Sequence, residues 1–193
     1  MANADEVVFL WLNGLVGTFA PLDSAVKWLV SDYLVPAAMA LTLVALWFAG
    51  ADVAARTRNQ IGVLVGLSSM AASSGVVFAI NAVYFRTRPF DDLDVSLLFY
   101  EPTDSSFPAN SAAAMFGIAA AVWGINRRLG TILFVIAGTF GFSRVVAGVH
   151  YPLDVLASTL IGILIAYVVF RVRDLLEPLP TMVIKAARIL YLA

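Results

Sequence analysis

The chain has 193 residues, 61% of them hydrophobic and only 13% charged, with a formal net charge of −1 and a mean hydropathy of +0.90. Soluble domains carry about a quarter charged residues, so this is the composition of an integral membrane protein. The lack of a basic excess excludes a nucleic-acid partner, and the lack of any cysteine excludes disulfides, thiolate catalysis and cysteine-held metals.

The amino-terminal string MANADEVVF is acidic where an export signal would be basic, so no cleaved signal is expected. Residues 5–16 are apolar but too few to cross a bilayer, and their pattern fits a helix lying in the interface. Five longer stretches follow, each close to the roughly 20 apolar residues that one helical crossing takes. The first covers residues 25–49, with Lys27 and Asp32 near its entry and Pro36 inside. The second covers 60–85, softened by serines and glycines, and the third runs from Pro108 to about residue 125. The fourth and fifth cover 129–149 and 152–170. Small residues such as the AASSG and SAAA runs suit close helix contact inside a bundle. After Asp174 the tail holds Pro178 and Pro180, then TMVIKAARILYLA, an amphipathic pattern with Lys185 and Arg188 that fits a surface helix. The expected fold is therefore an all-α membrane bundle of about five transmembrane helices with interfacial helices at both ends. No repeat, linker or low-complexity tract divides it, so residues 1–193 read as one domain.

Eight of the twelve Lys and Arg residues fall on one side of such a bundle. They are Arg56, Arg58, Arg127, Arg128, Arg171, Arg173, Lys185 and Arg188. The positive-inside rule assigns that side to the cytoplasm. The other side carries the acidic loop of residues 86–107 and the only histidine of the chain, His150.

Three segments meet on that outer side: INAVYFRTRPF, SSFPANSAAA and FSRVVAGVHYPLDV. In the last, Asp154 follows His150 by four residues. The two stand one turn apart if the helix continues, and stay within reach if Tyr151 and Pro152 break it. A carboxylate that accepts one ring N–H would leave the other ring nitrogen free to attack phosphorus. Arg88 and Arg144 sit at span ends against the general charge bias, and their planar guanidiniums suit a phosphate clamp. Arg86 fits a lipid-headgroup contact equally well. FPANSA supplies a helix amino terminus, whose free N–H groups attract anions, with Ser111 in its first turn. With a single histidine, no mechanism that needs a pair of them is open to this chain.

These segments resemble the signature of the type 2 phosphatidic acid phosphatase family of membrane lipid phosphatases. That pattern is Lys, six residues, Arg-Pro; then Pro-Ser-Gly-His; then Ser-Arg, five residues, His, three residues, Asp. The third motif matches at Ser143, Arg144, His150 and Asp154; the first matches at Arg88 and Pro89 with Asn81 in the lysine position. The second keeps Pro108, but Ala109 replaces its serine and Ser111 its histidine. Both a naturally degenerate relative and deliberate inactivation are compatible with that pair of changes. The opening VFLWLNGLVGTFAPLDSAVKWLVSDYLVP and the string YFRTRPF look most like bacterial undecaprenyl-diphosphatases of the bacitracin-resistance type. The resemblance implies a metal-free, cofactor-free hydrolase acting through a phosphohistidine. His150 would be the nucleophile and Asp154 its partner, with Arg88, Arg144, Asn81, Ser143 and Ser111 as phosphate ligands. The implied partner is a lipid phosphate or diphosphate held in the cell membrane, on a route that recycles a polyprenyl carrier for cell-wall synthesis.

Leaving-group chemistry narrows the substrate. An alkoxide leaving from a phosphomonoester needs a proton, and general acid catalysis commonly contributes about 10²–10⁴-fold. Ser111 cannot supply that proton near neutral pH, whereas a lipid monophosphate leaving from a diphosphate does not need it. The expected reaction is thus hydrolysis of a polyprenyl diphosphate. The alternatives are an impaired relative that only binds lipid phosphate, and a phosphatidic acid or phosphatidylglycerol-phosphate phosphatase. A small transporter fits least, since ionisable residues are nearly absent from the spans.

Overall fold

The computed structural model describes residues 4–190, residues 174 and 176 by their backbone alone. Its elements in chain order are α1 (Ala4–Asn13), α2 (Ala20–Val30), α3 (Leu34–Phe48), α4 (Val53–Asn81), a short turn of helix α5 (Pro89–Asp92), α6 (Asn110–Ile125), α7 (Arg127–Val146), α8 (Pro152–Val172), a 3₁₀ turn (Arg173–Leu176) and α9 (Leu179–Ile189). Among the described residues there is no strand, and the chain is an all-helical, multi-pass membrane protein.

Three helices, α4, α7 and α8, are long and apolar enough to cross a bilayer alone. Two of the five expected stretches take a form of their own. The stretch 25–49 is not one rod: α2 and α3 meet at a 51° bend, with Asp32 in the break. A continuous helix would carry that carboxylate into the apolar layer, whereas the break lets it reach Arg144, with which it pairs. The third stretch forms α6, of 16 residues, which at 1.5 Å per residue is about 24 Å long and shorter than a bilayer core of about 30 Å.

α6 is the axle of the bundle. Most of its residues are buried, and it packs against α4, α7 and α8. Its alanines and Gly117 let neighbouring backbones approach closely. Gly162 of α8 marks the tightest crossing, where a Cβ would lie 2.4 Å from the carbonyl oxygen of Ala113. The buried serines of α4 beside Gly117 cost little, because Ser69 and Ser73 donate to the carbonyls of Val65 and Ser69 in their own helix.

Side-chain caps set two of the helix starts. Asp52 Oδ1 accepts from the Ala55 N–H at 2.7 Å before α4, and Asn126 Oδ1 accepts from Leu129 at 3.1 Å before α7. α1 buries Asp5, Phe9 and Asn13, one residue per turn, against the end of the bundle. Its other side exposes Val7, Val8, Leu10 and Trp11, an inverted amphipathicity that suits a helix with lipid on its outer face. α9 exposes Leu179, Met182, Val183 and Ile189 and touches α4 through Arg188, which donates to Thr57 Oγ1 at 2.8 Å.

Helix directions place the start of α4, the ends of α6 and α8 and the start of α7 at one end of the bundle. The end of α4 and the starts of α6 and α8 lie at the other, with α1 and the loop 93–109. That loop is pinned: Leu98 N–H donates to Ala147 O at 3.0 Å, and Leu97, Leu98 and Phe99 pack on Val26, Val30 and Val146.

Candidate active site

Between α7 and α8 the chain must turn within a few residues and still aim an imidazole inward. Gly148 makes the turn at φ +87°, a left-handed conformation that favours glycine. The N–H groups of Val149 and His150 then fold back onto the Arg144 carbonyl at 3.0 and 3.4 Å. Pro152 opens α8 as its first residue, and the Asp154 carboxylate accepts the Tyr151 N–H at 3.0 Å. Of the two geometries open to the pair of His150 and Asp154, the chain adopts the broken one.

The imidazole is nearly sealed, with 3% of its surface exposed. Nδ1 lies 2.9 Å from the Ser106 carbonyl, which can only accept, so Nδ1 carries the proton. Nε2 then presents its lone pair, and Arg88 Nη1 sits 3.3 Å from it. Burial, and after it the positive charges of Arg88 and Arg144, hold His150 well below the usual imidazole value of 6.5, against the opposing pull of the Ser106 carbonyl.

Nε2 faces a cavity of about 140 Å³ lined by Asp32, Arg88, Tyr100, Pro102, Asp104, Asn110, Ser111, Arg144 and His150. Two guanidiniums enter it from different elements. Arg88 is fixed by Val149 O at 3.1 Å and by the backbone and carboxylate oxygens of Asp104 at 3.0 and 2.7 Å. Arg144 pairs with Asp32, which also accepts from the Tyr100 hydroxyl at 2.9 Å, and its buried Nε has no hydrogen-bond partner among the described residues. The amino terminus of α6 adds Asn110 and Ser111, and its cap residue, Ala109, offers no side-chain acceptor to the first-turn N–H groups. Two guanidiniums, an unpartnered buried donor and an uncapped helix start are groups that suit an anion beside an unprotonated ring nitrogen.

The chain thus brings together Arg88, Arg144, Ser111 and His150, and departs from expectation at four other residues. Asp154 does not touch the imidazole. Its Oδ2 accepts from the Ser106 hydroxyl at 2.5 Å and its Oδ1 from Arg86 at 2.5 Å, and Ser106 in turn meets the ring through its carbonyl. Starting α8 at Pro152 turns the carboxylate back onto the helix cap and away from the ring. Ser143 lies outside the cavity lining, because its hydroxyl is used at 2.7 Å by Phe140 O in its own helix. Asn81, the last residue of α4, lines a neighbouring cavity of about 370 Å³, with Ser74, Val77, Phe78, Phe85 and Ser105. The two cavities share Asp104 and Asn110. Arg86 pairs with protein carboxylates, Asp5 at 2.8 Å and Asp154, with its guanidinium 4.1 Å above the Tyr151 ring.

Asp32, Tyr100, Pro102 and Asp104 in the lining, and Ser106 behind the imidazole, lie outside the three motifs. The one visible signal was Asp32, a carboxylate inside an apolar run.

Comparison with known proteins decides the family, since the model of the PAP2 superfamily matches residues 62–177, a segment from α4 to the end of the 3₁₀ turn. The chain belongs to the PAP2 superfamily. It is 33% identical over 178 residues to the undecaprenyl-diphosphatase BcrC of Bacillus subtilis (strain 168), across 92% of this chain and 89% of that protein. Its fold is similar to the crystal structure of LpxE from Aquifex aeolicus, with a TM-score of 0.68, 26% identity and coverage of 88% of this chain and 96% of that one. A PAP2-type phosphatidylglycerolphosphate phosphatase from Bacillus subtilis shares the fold at 19% identity, with a TM-score of 0.60 over 92% of this chain and 90% of its own. The PAP2 match contains every cavity residue except Asp32, so the Asp32–Arg144 pair ties the α2–α3 break to the family's segment.

Proposed function

We propose that this chain is a lipid-diphosphate phosphatase that converts a polyprenyl diphosphate to its monophosphate through a phosphohistidine at His150. The observation that carries the reading is the unprotonated Nε2 of His150, 3.3 Å from Arg88 Nη1, on the wall of a cavity with two guanidiniums. In the first step Nε2 attacks the terminal phosphorus as the bond to the bridging oxygen breaks. Nδ1 keeps its proton, and the Ser106 carbonyl stabilises the charge that the ring acquires. Arg88 and Arg144 hold the phosphoryl oxygens, and the α6 start adds N–H dipoles. Asp154 is a positioning residue, which locks Ser106 and thereby the imidazole. The adjoining cavity, with Val77, Phe78 and Phe85 in its wall, gives the lipid-side part of the substrate an apolar place beside the reacting phosphate. Residues 1–193 act in this reading as one phosphatase domain.

The same reading places the site at the non-cytoplasmic face, supported by Arg58, Arg127, Arg171 and Arg173 at the opposite end of the bundle. Ala109 and Ser111 favour a second reading, in which the chain binds lipid phosphate without turning it over.

Phosphate release from a lipid panel tests the substrate. Polyprenyl diphosphate is expected to be hydrolysed at least about 100-fold faster than phosphatidic acid, because only the monoester's alkoxide needs the missing acid. Equal rates on the two would overturn the diphosphate assignment. The depressed pKa of His150 sets a second expectation. A base with a lowered pKa remains unprotonated as pH falls through 6.5, so the phosphorylation rate is expected to hold from about pH 8 to below 6.5. A rapid-quench rate that halves at pH 6.5 would mark an ordinary imidazole.

A further inference from the structure

A phosphohistidine must be opened by water, and water attacking phosphorus has to lose a proton. The imidazole that the family pattern provides for such proton transfer is Ser111 here. Besides that serine, three oxygen-bearing side chains that could exchange a proton face the cavity: Asp32, Tyr100 and Asp104. The hydroxyls of Ser111 and Tyr100 keep their protons at neutral pH, and Tyr100 more firmly so because it donates to Asp32 at 2.9 Å. Asp32 is occupied at both oxygens, Oδ1 by Arg144 and Oδ2 by Tyr100.

Asp104 differs from all of these. Its Oδ1 takes Arg88 Nη2 at 2.7 Å, and its Oδ2 has no hydrogen-bond partner among the described residues. Its side chain is 64% exposed, so water reaches it. The other terminal nitrogen of the same guanidinium lies 3.3 Å from His150 Nε2, which puts carboxylate and nucleophile on opposite sides of one planar group. Asp104 also belongs to the wall between the two cavities, where a departing lipid monophosphate makes room for water.

We propose that Asp104 is the catalytic general base of the second half-reaction, in the place of the absent second histidine. This rests on the phosphohistidine reading above. The water oxygen bonds to phosphorus while the P–Nε2 bond breaks, and the electron pair of that bond returns to Nε2. The water proton passes to Asp104 Oδ2, inorganic phosphate departs, and Asp104 gives its proton to solvent. Nδ1 keeps its proton throughout.

Rapid-quench turnover of polyprenyl diphosphate labelled at the terminal phosphate tests the assignment on the full chain in detergent. Asp104→Asn is expected to lower steady-state turnover about 100-fold while keeping a first-turnover burst, with labelled, acid-labile phosphate accumulating on the protein. Formate, a small carboxylate, is expected to restore part of the lost turnover in that variant. Turnover within about threefold of the unaltered chain would overturn the proposal, since general bases contribute far more than that. So would loss of the burst together with turnover, which would assign Asp104 to binding. His150→Ala separates this from failure of the underlying reading: labelled protein that persists in that variant removes the phosphohistidine itself.

Discussion

His150→Ala is expected to abolish phosphate release from polyprenyl diphosphate, with a fall of at least about 10³-fold, or roughly 4 kcal/mol of transition-state stabilisation. No other side chain on the cavity wall can replace the nucleophile. Asp104 and Asp32 are held by guanidiniums, and Ser111 and Tyr100 have no neutral base at hand in a chain with a single histidine. The truncation also removes the acceptor from Arg88 Nη1 and the donor from Ser106 O, so a stability loss of about 1–3 kcal/mol is expected beside it. A melting curve in detergent separates the two effects, because a folded, inactive variant isolates the chemistry. Retention of more than about a tenth of the activity would instead point to hydrolysis without a covalent step.

The sequence made the ends of the bundle legible and left the pairings within the site hidden, for one physical reason. Spacing fixes which residues share a helix end, and so Arg88, Arg144 and His150 could be gathered from their positions alone. Which atoms meet depends on backbone geometry at the turn. Gly148 and Pro152 break the path between α7 and α8, and that break sends Asp154 to Ser106 and Arg86 in place of the ring. Ser106 carries no charge and lies two residues ahead of the second motif's proline, yet its carbonyl and hydroxyl connect the histidine to the carboxylate. Ser143 shows the converse, since a matching motif position spends its hydroxyl on a helix carbonyl. Helix limits shifted for similar causes. α4 starts at Val53, ahead of the apolar run, because Asp52 caps it, and the first apolar stretch divides at a charged residue whose partner lies far along the chain.

Restoring the second motif with Ala109→Ser and Ser111→His is expected to raise turnover by about 10²–10⁴-fold, the usual contribution of a positioned general acid–base group. The site has room for the change at the relevant place. Position 111 is the second residue of α6, half-exposed, and on the cavity wall with Arg88, Arg144 and His150. An imidazole there would meet the bridging or attacking oxygen from the side opposite Nε2. Ala109→Ser adds a separate gain, because the cap position is extended and lacks a side-chain acceptor, and a serine cap is worth about 1 kcal/mol. The two changes are therefore separable: Ala109→Ser alone should raise the melting temperature and leave turnover nearly unchanged, whereas Ser111→His should carry the rate. The restored acid should also narrow the gap between diphosphate and monophosphate lipids, since an alkoxide leaving group would now receive its proton. A double variant that melts higher but turns over no faster would show that the loss of catalysis lies elsewhere.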